Sequence, residues 1–336
     1  MHATAQRWLT VDDAGLYCVP GRFHVDPLRP VERAVITHGH SDHARPGHAH
    51  VLATIETLAI MDLRLGQHAG RQRQALAYGE ALAIDGVTLR LLPAGHILGS
   101  AQVVIEWKGE RAVISGDYKR AADPTCAPFE LVACDLFVTE ATFGLPVFQH
   151  GAPEQEIARL LASLDLFPER AHLIGAYGLG KCQRLIRLLR AAGYDKPIWL
   201  HGALQSLCEL YESLGVGLGP LRPATGAPRR ALEGEIVLAP PSALSDRWSR
   251  RLPDPVTCFA SGWMRVRARA RQRGVELPLV ISDHADWPEL TRTIAETGAR
   301  EIWVTHGRDD ALLHHIAKQG LRGRALALVG LEDEDE

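Results

Sequence analysis

The chain has 336 residues, 46% of them hydrophobic, and a formal net charge of −3 at pH 7. This length suggests two domains or one large α/β unit with ample apolar side chains for a core. Because no stretch approaches eighteen uncharged apolar residues and the first residues lack the apolar core of a signal peptide, we expect neither a membrane span nor secretion. Six cysteines without a paired spacing are typical of reduced thiols in the cytoplasm.

The negative charge is concentrated at the carboxyl terminus. Residues 332–336 are all acidic, and removing their five charges from the total of −3 leaves a body of +2. We expect residues 329–336 to form a disordered acidic tail. A body charge of +2 does not identify a partner, so any nucleic-acid contact has to come from local basic patches.

The first predicted metal ligands follow a short apolar strand. Residues 34–36 read as a buried strand, and His38-Gly39-His40-Ser41-Asp42-His43 comes directly after it. Imidazole nitrogens and a carboxylate suit zinc, or manganese or iron under other supply conditions. A His-rich surface loop is the alternative, but it does not explain four ligand side chains within six residues.

Later strands of the first half also lead to polar residues. An alternating strand at 87–91 leads to His96, a hairpin within 102–115 leads to Asp117, and an apolar strand at 136–138 leads to Glu140. This regularity predicts a metal site at one edge of a sheet, with His96 and Asp117 as candidates for that site.

The second half alternates between helical and strand patterns. Helices are predicted near 154–164, 181–192 and 204–214, with strands at 172–176 and 198–200 between them. The alternation predicts parallel βαβ units and a second α/β domain, interrupted by a Pro- and Gly-rich stretch at 218–229. Strands at 279–281 and 301–305 lead to His284 and His306. We expect both to return to the first sheet, which makes the second domain an insertion.

These motifs resemble those of the β-CASP nucleases, a group with the metallo-β-lactamase fold. The 38–43 cluster, His96 in Ala-Gly-His-Ile-Leu-Gly-Ser and Asp117 in Ser-Gly-Asp-Tyr are similar to the metal motifs. Glu140 in Thr-Glu-Ala-Thr-Phe-Gly, His284 in Ser-Asp-His and His306 in Thr-His-Gly are similar to the three additional β-CASP motifs. The resemblance covers about residues 10–320.

The resemblance implies an α/β fold, a metallo-β-lactamase αββα sandwich with an inserted α/β domain of the β-CASP type. The sandwich would comprise 1–148 and 276–328, and the insertion 149–275. Phrases at 180–183, 261–265 and 283–287 are most similar to the bacterial DNA ligase-associated exonuclease branch.

The ligand set implies two divalent metal ions, zinc in the first place. Two ions of this kind activate water and neutralise the oxygens of an in-line phosphoryl displacement. One ion would be held by His38, His40 and His96, the other by Asp42, His43 and His306, with Asp117 bridging both. We assign Asp42, His284 and Glu140 to catalysis, His284 as the group that gives the leaving sugar oxygen a proton and Glu140 as the group that orients its ring. The alternative for His284 is a buried histidine satisfied by a carbonyl group.

Phosphate-binding candidates lie in the second half. Lys181 opens a helix after a Gly-Leu-Gly sequence, an arrangement that can bind an anion. Arg265 and Arg267 begin a run of arginines at every second residue, which would form one basic stripe on a strand and spread around a helix. We assign Ser282 to this group as well. A solvated charged face is the alternative for the arginines.

The sequence therefore predicts a metal-dependent exonuclease for single-stranded or end-bearing DNA, acting in repair beside an ATP-dependent DNA ligase and a helicase. RNA processing is the alternative, because DNA nucleases of the Artemis type typically have valine where this chain has His306. A small-molecule hydrolase of the lactamase type would lack Glu140, His284 and the insertion. A metal-free scaffold subunit would have lost ligands, whereas all seven positions are occupied here.

Overall fold

The computed structural model describes residues 7–326, and the predicted acidic tail at 329–336 lies outside this range. The chain forms two compact units: the first runs to Val147 and resumes at His284, and the second comprises Phe148–Asp283. The metallo-β-lactamase and β-CASP domains that we predicted at 1–148, 149–275 and 276–328 stay a prediction. The second unit extends beyond residue 275. Residues 7–326 contain nineteen strands and seven α-helices, and none of these helices is long and apolar enough to cross a membrane.

The first unit contains a sheet of six strands in sequence order. These are β1 (Leu9–Asp12), β2 (Gly15–Cys18), β3 (Phe23–Val25), β4 (Arg33–Val35), β5 (His50–Ala53) and β6 (Gln72–Ala75). Strands β1 to β3 pair antiparallel, and β3 to β6 pair parallel. The cluster at 38–43 follows β4, so the predicted buried strand before it is confirmed.

A second sheet of the first unit has the order β19-β18-β11-β10-β9-β8-β7. Its strands are β7 (Leu82–Ile84), β8 (Val87–Pro93), β9 (Ala101–Trp107), β10 (Glu110–Ile114), β11 (Leu136–Ala141), β18 (Glu301–Gly307) and β19 (Arg322–Ala325). Strands β7 to β10 pair antiparallel, whereas β10, β11, β18 and β19 pair parallel. The predicted hairpin is confirmed as β9 and β10.

The two sheets pack face to face, and helices cover their outer faces. Leu16 and Val25 of the first sheet share a buried cluster with Leu89 and Leu136 of the second. Helix α1 (Ile55–Leu65) packs its apolar side chains on the outside of the first sheet. The first unit therefore has the layer order α–β–β–α, which confirms the αββα sandwich.

Alternation along β9 shows how the sequence specifies these layers. Val103 and Ile105 lie in the core between the sheets, whereas Val104 packs with helices on the other face. These helices are α6 (Trp287–Thr297) and α7 (Asp310–Lys318). Because both faces of β9 are covered, the strand is apolar on both sides.

The second unit is an α/β structure with one parallel sheet. Its strand order is β14-β13-β15-β12-β16-β17, and every pair is parallel. The strands are β12 (His172–Gly175), β13 (Ile198–Leu200), β14 (Leu221–Pro223), β15 (Ile236–Ala239), β16 (Val256–Ala260) and β17 (Leu277–Leu279). Helix α2 (Pro153–Leu166) precedes β12, and helices α3 (Lys181–Ala191), α4 (Gly202–Ser213) and α5 (Arg267–Gln272) lie between later strands in sequence. The predicted strand–helix alternation is confirmed.

One strand prediction is wrong. We expected the strand near 279–281 to return to the first sheet, but β17 pairs with β16 of the second unit, with Cys258 opposite Leu277 and Ala260 opposite Leu279. The apolar run continues past the end of the strand, so its pattern could not show which sheet supplies the backbone partner. Only β18 returns as predicted, pairing with β11.

Phe137→Ala tests the core between the second sheet and its helices. Phe137 is fully buried and packs with residues of α6 and α7. Removing the ring should lower the free energy of unfolding by about 3–5 kcal/mol. Ile55→Ala, at a side chain 63% exposed in the same unit, is the control and should change it by at most about 0.5 kcal/mol. Equal urea midpoints for the two variants would contradict this packing.

Candidate metal centre

All seven predicted ligands come together in the first unit. The side chains form two groups, one of His38, His40, His96 and Asp117, the other of Asp42, His43 and His306. Within each group the potential ligand atoms lie within 4.8 Å of one another. The ligands lie directly after the ends of β4, β8 and β10 and at the end of β18, as the pattern of polar residues at strand ends predicted.

The first group has the spacing of atoms that share one ion. His40 Nδ1 lies 3.2 Å from His38 Nε2 and 3.1 Å from His96 Nε2. Asp117 Oδ2 is 3.3 Å from the His38 nitrogen and 3.7 Å from the His96 nitrogen. Tetrahedral ligands about 2.1 Å from zinc are separated by roughly 3.4 Å, so these four atoms fit such an ion.

The second group uses the same carboxylate oxygen. His43 Nε2 lies 3.5 Å from Asp117 Oδ2 and 3.5 Å from Asp42 Oδ2. The His306 ring stacks on the His43 ring with their centroids 4.7 Å apart. Because Asp117 Oδ2 is within 3.7 Å of nitrogens in both groups, Asp117 can bridge two ions.

Unsatisfied buried atoms show that the residues fit a cation. His43 Nε2 and Asp117 Oδ1 are buried without a hydrogen-bond partner. The other ring nitrogen of His43, Nδ1, lies 2.7 Å from Asp26 Oδ2 and donates to it, so in a neutral ring the Nε2 lone pair faces carboxylate oxygens. A nitrogen lone pair that faces carboxylate oxygens is unfavourable unless a positive charge lies between the nitrogen and the oxygens.

The protonation preferences agree with ligand chemistry. Burial in the first place, and then His43, hold the pKa of His38 well below its ordinary value, although Asp117 opposes this. Burial also lowers the pKa of His306 to about 4. Burial favours the neutral form of Asp117, yet the histidines at 43 and 38 hold its pKa well below the usual range. Neutral imidazoles and an ionised carboxylate are the forms that bind metal.

His43 shows the opposite shift. Burial lowers its pKa, but the carboxylates of Asp117, Asp42 and Asp26 outweigh this and hold the pKa well above its ordinary value. The same negative charges attract a divalent cation, which would replace the proton on Nε2.

Asp26 is a supporting residue that the sequence did not predict. Its Oδ2 accepts from the Thr37 hydroxyl at 2.6 Å as well as from His43, and its Oδ1 accepts from the Thr37 backbone N–H at 2.8 Å. The Thr37 hydroxyl donates to Asp26. Its oxygen lies 3.0 Å from His38 Nδ1 and can accept a hydrogen bond from the Nδ1–H of that ring. One carboxylate therefore orients a ligand of each group. The available signal in the sequence was an Asp-Pro pair directly after the short strand Phe23–Val25.

Glycine allows the strand ends to converge. Gly116, next to Asp117, has a φ of +55°, and a Cβ there would lie 2.7 Å from the Thr37 side chain. Gly95, next to His96, has a φ of +75°, and a Cβ there would collide with the Lys119 carbonyl oxygen. A larger residue at either position would push a ligand out of place.

His284 and Glu140 form a buried pair beside the first group. His284 Nδ1 lies 3.0 Å from Glu140 Oε2, and the other carboxylate oxygen accepts from the Tyr118 backbone N–H at 2.8 Å. The rings of His284 and His96 have centroids 4.6 Å apart. Burial raises the pKa of Glu140, and the adjacent His284 opposes this. The partner of the His284 Nδ1 atom is thus the Glu140 carboxylate.

No protein-family model matches the chain. A probable DNA ligase from Opitutus terrae is 30% identical over 324 residues, which is 93% of this chain and 30% of that protein. Endoribonuclease ysh-1 from Neurospora crassa is 29% identical over 154 residues, 43% of this chain and 18% of that protein. The chain thus spans less than a third of the length of these relatives.

One solved structure has a similar fold. A crystal structure of a protein of unknown function from Enterococcus faecalis V583 superposes with a TM-score of 0.54 at 12% identity, covering 83% of this chain and 76% of that one. At this identity the likeness concerns the fold alone. The fold is the metallo-β-lactamase αββα sandwich with a further α/β unit, as the β-CASP resemblance implied.

The phosphate-binding candidates lie in the second unit. Lys181 begins α3 as predicted, but it is buried, and its Nζ lies 2.7 Å from Asp283 Oδ1. Ser282 is also buried, and its carbonyl oxygen accepts from Arg184 Nη1 at 2.6 Å. Both residues therefore take part in buried polar contacts, and their role toward phosphate stays a prediction.

The arginine run does not form a single stripe. Residues 267–272 are the short helix α5, so the side chains spread around it. Arg265 and Arg267 are exposed, whereas Arg269 lies over the ring of Trp263 at 4.1 Å. Trp263 is itself buried.

Asp26→Asn tests the supporting carboxylate. It should weaken zinc binding by about 10- to 100-fold, since the amide cannot replace the charge that orients His43. Asp12→Asn is the matched control, because Asp12 pairs with His24 Nε2 at 3.0 Å outside the cluster. Titration of metal-free protein with zinc against a competing chelator measures both. Unchanged zinc affinity in Asp26→Asn would show that Asp26 does not support the site.

Proposed function

We propose that the chain is a metal-dependent nuclease that hydrolyses phosphodiester bonds of single-stranded or end-bearing DNA, exonucleolytically and in repair. The observation that carries this proposal is the sharing of Asp117 Oδ2 between two groups of metal ligands, with the His284–Glu140 pair beside them. The metal ions are zinc in the first place, with manganese or iron as substitutes.

The residues divide the work of phosphodiester hydrolysis between them. The two ligand groups that share Asp117 would hold two divalent ions, which when bound would supply an activated water near neutral pH and positive charge beside the phosphoryl oxygens. His284 gives its proton to the leaving sugar oxygen. Glu140 accepts the Nδ1–H of that ring and stabilises its charged form, while the Tyr118 N–H holds Glu140 in place. Asp42 contributes negative charge to the second group.

DNA is favoured because the similarity to the Opitutus terrae probable DNA ligase covers almost the whole of this chain. In that protein a region like this one belongs to a much longer polypeptide named as a ligase. A DNA end often has to be trimmed before a ligase can seal it, so a nuclease and a ligase would act on the same ends. We therefore propose an ATP-dependent DNA ligase and a helicase as partners, and the cytoplasm as location, since none of the six cysteines, all of them within the described residues, forms a disulfide.

RNA is the second candidate substrate. The relative from Neurospora crassa is named as an endoribonuclease, and its similarity covers 43% of this chain. His306 stands in the second ligand group, where the Artemis-type DNA nucleases typically have valine.

Labelled oligonucleotides distinguish these substrates. Metal-loaded protein should shorten single-stranded DNA stepwise from one end and spare matched RNA, each labelled at either end in turn. His40→Ala should reduce cleavage to the level of buffer, because it removes a ligand of the first group. His68→Ala, at an exposed histidine, is the control and should keep wild-type activity. Preferential cutting of RNA would overturn the DNA proposal in favour of RNA processing.

We propose Lys181, Ser282, Arg265 and Arg267 as contacts to the phosphate backbone. Lys181→Ala should then raise KM more than it lowers kcat, and reduce the slope of binding against salt by about 1. Lys196→Ala, an exposed lysine of the same unit, is the control. If Lys181→Ala keeps the wild-type KM and salt slope, Lys181 serves only the buried ion pair with Asp283.

A further inference from the structure

We infer that Lys119 is a positioning residue that holds the backbone of His284 in place for proton transfer. This inference rests on the proposed function. Lys119 is 6% exposed, and its Nζ donates to the His284 carbonyl oxygen at 3.3 Å. It lies two residues after the bridging Asp117, yet it is not among the predicted ligands.

Residues 118 and 119 hold His284 from several sides. The Tyr118 carbonyl accepts from the Ala285 N–H at 2.6 Å, directly after His284. The Tyr118 N–H holds Glu140, which in turn binds the His284 ring. Lys119 completes this arrangement at the His284 carbonyl. The ring and the backbone of His284 are therefore both tied to the segment that carries Asp117.

The ammonium group of Lys119 is buried. Its transfer from water is costly, and a buried ion pair is often no more stabilising than apolar side chains of similar volume. Its charge is partly offset by Glu289 Oε2 at 3.6 Å. Glu289 lies in the first turn of α6, and its Oε1 accepts from the Ala121 N–H at 2.8 Å. The ammonium thus links the His284 backbone to a fixed carboxylate, a task that an apolar side chain cannot perform.

Lys119 would affect catalysis by fixing the position of the proton donor, His284. A general acid has to be within hydrogen-bond distance of the oxygen it protonates, and a shift of about 1 Å can cost about 10²-fold in rate. Lys119 is buried and its donor faces a carbonyl group, so its contribution is to hold His284, without contact to phosphate.

Two substrates separate positioning from general damage to the site. Single-stranded DNA has an alkoxide leaving group that needs a proton, whereas bis(p-nitrophenyl) phosphate has a leaving group that departs without one. Lys119→Met should lower kcat on DNA about 10- to 100-fold and leave kcat on the nitrophenyl ester at the wild-type value. His284→Ala should show the same selectivity, and the double variant should be no slower on DNA than His284→Ala.

Arg120→Met is the matched control. Arg120 is the neighbour of Lys119 and pairs with Glu296 of α6 at 2.5 Å, so it also links this segment to that helix. It should keep wild-type kcat on both substrates. Lys119→Arg, which keeps a cationic donor, should recover part of the rate on DNA.

Amide hydrogen exchange adds a measurement that is independent of activity. Lys119→Met should speed exchange of the Ala285 amide, while Arg120→Met should not. Equal loss of kcat on both substrates, or unchanged exchange at Ala285, would overturn the positioning role. If the wild type cleaves no nucleic acid, the proposed function fails, and the exchange experiment still decides whether Lys119 holds His284.

Discussion

The candidate metal centre of the first unit is arranged around one buried carboxylate oxygen, Asp117 Oδ2. It lies between imidazole nitrogens of two ligand groups, at 3.3 Å from His38 and 3.5 Å from His43. Burying so many ionisable groups costs free energy, and strongly perturbed groups of this kind cluster at functional sites. The converging strand ends, the glycine at 116 and the supporting carboxylate of Asp26 all serve to bring ligands to this oxygen.

Polar partners determine what the clustered histidines can do. The Nδ1 of His38 lies beside the Thr37 hydroxyl, and that of His43 beside Asp26, which leaves both Nε2 atoms toward Asp117. His284 has Glu140 as its partner, and its Nδ1 lies 4.0 Å from Asp117 Oδ2, farther than the ligand nitrogens. In our proposal histidine thus serves as a metal ligand in one place and as a proton donor in another, according to its neighbours.

The sequence predicted the parts of the fold that depend on local pattern. The hairpin of β9 and β10, helix α3 and the strands before the ligands are all present, because apolar periodicity and strand-end polar residues are local signals. It failed where a partner is distant in sequence. Strand β17 joins the sheet of the second unit through β16, and β14 lies within the Pro- and Gly-rich stretch that composition alone marks as irregular. The sequence did not predict Asp26, because its role comes from contacts with Thr37 and His43 that only the fold brings together.

Anomalous diffraction from a crystal grown with zinc tests the central claim most directly. We expect two metal peaks in the first unit, one among His38, His40 and His96 and one beside Asp42, His43 and His306, with Asp117 contacting both. A single peak, or zinc bound only away from Asp117, would contradict the claim that this carboxylate is shared by two ions.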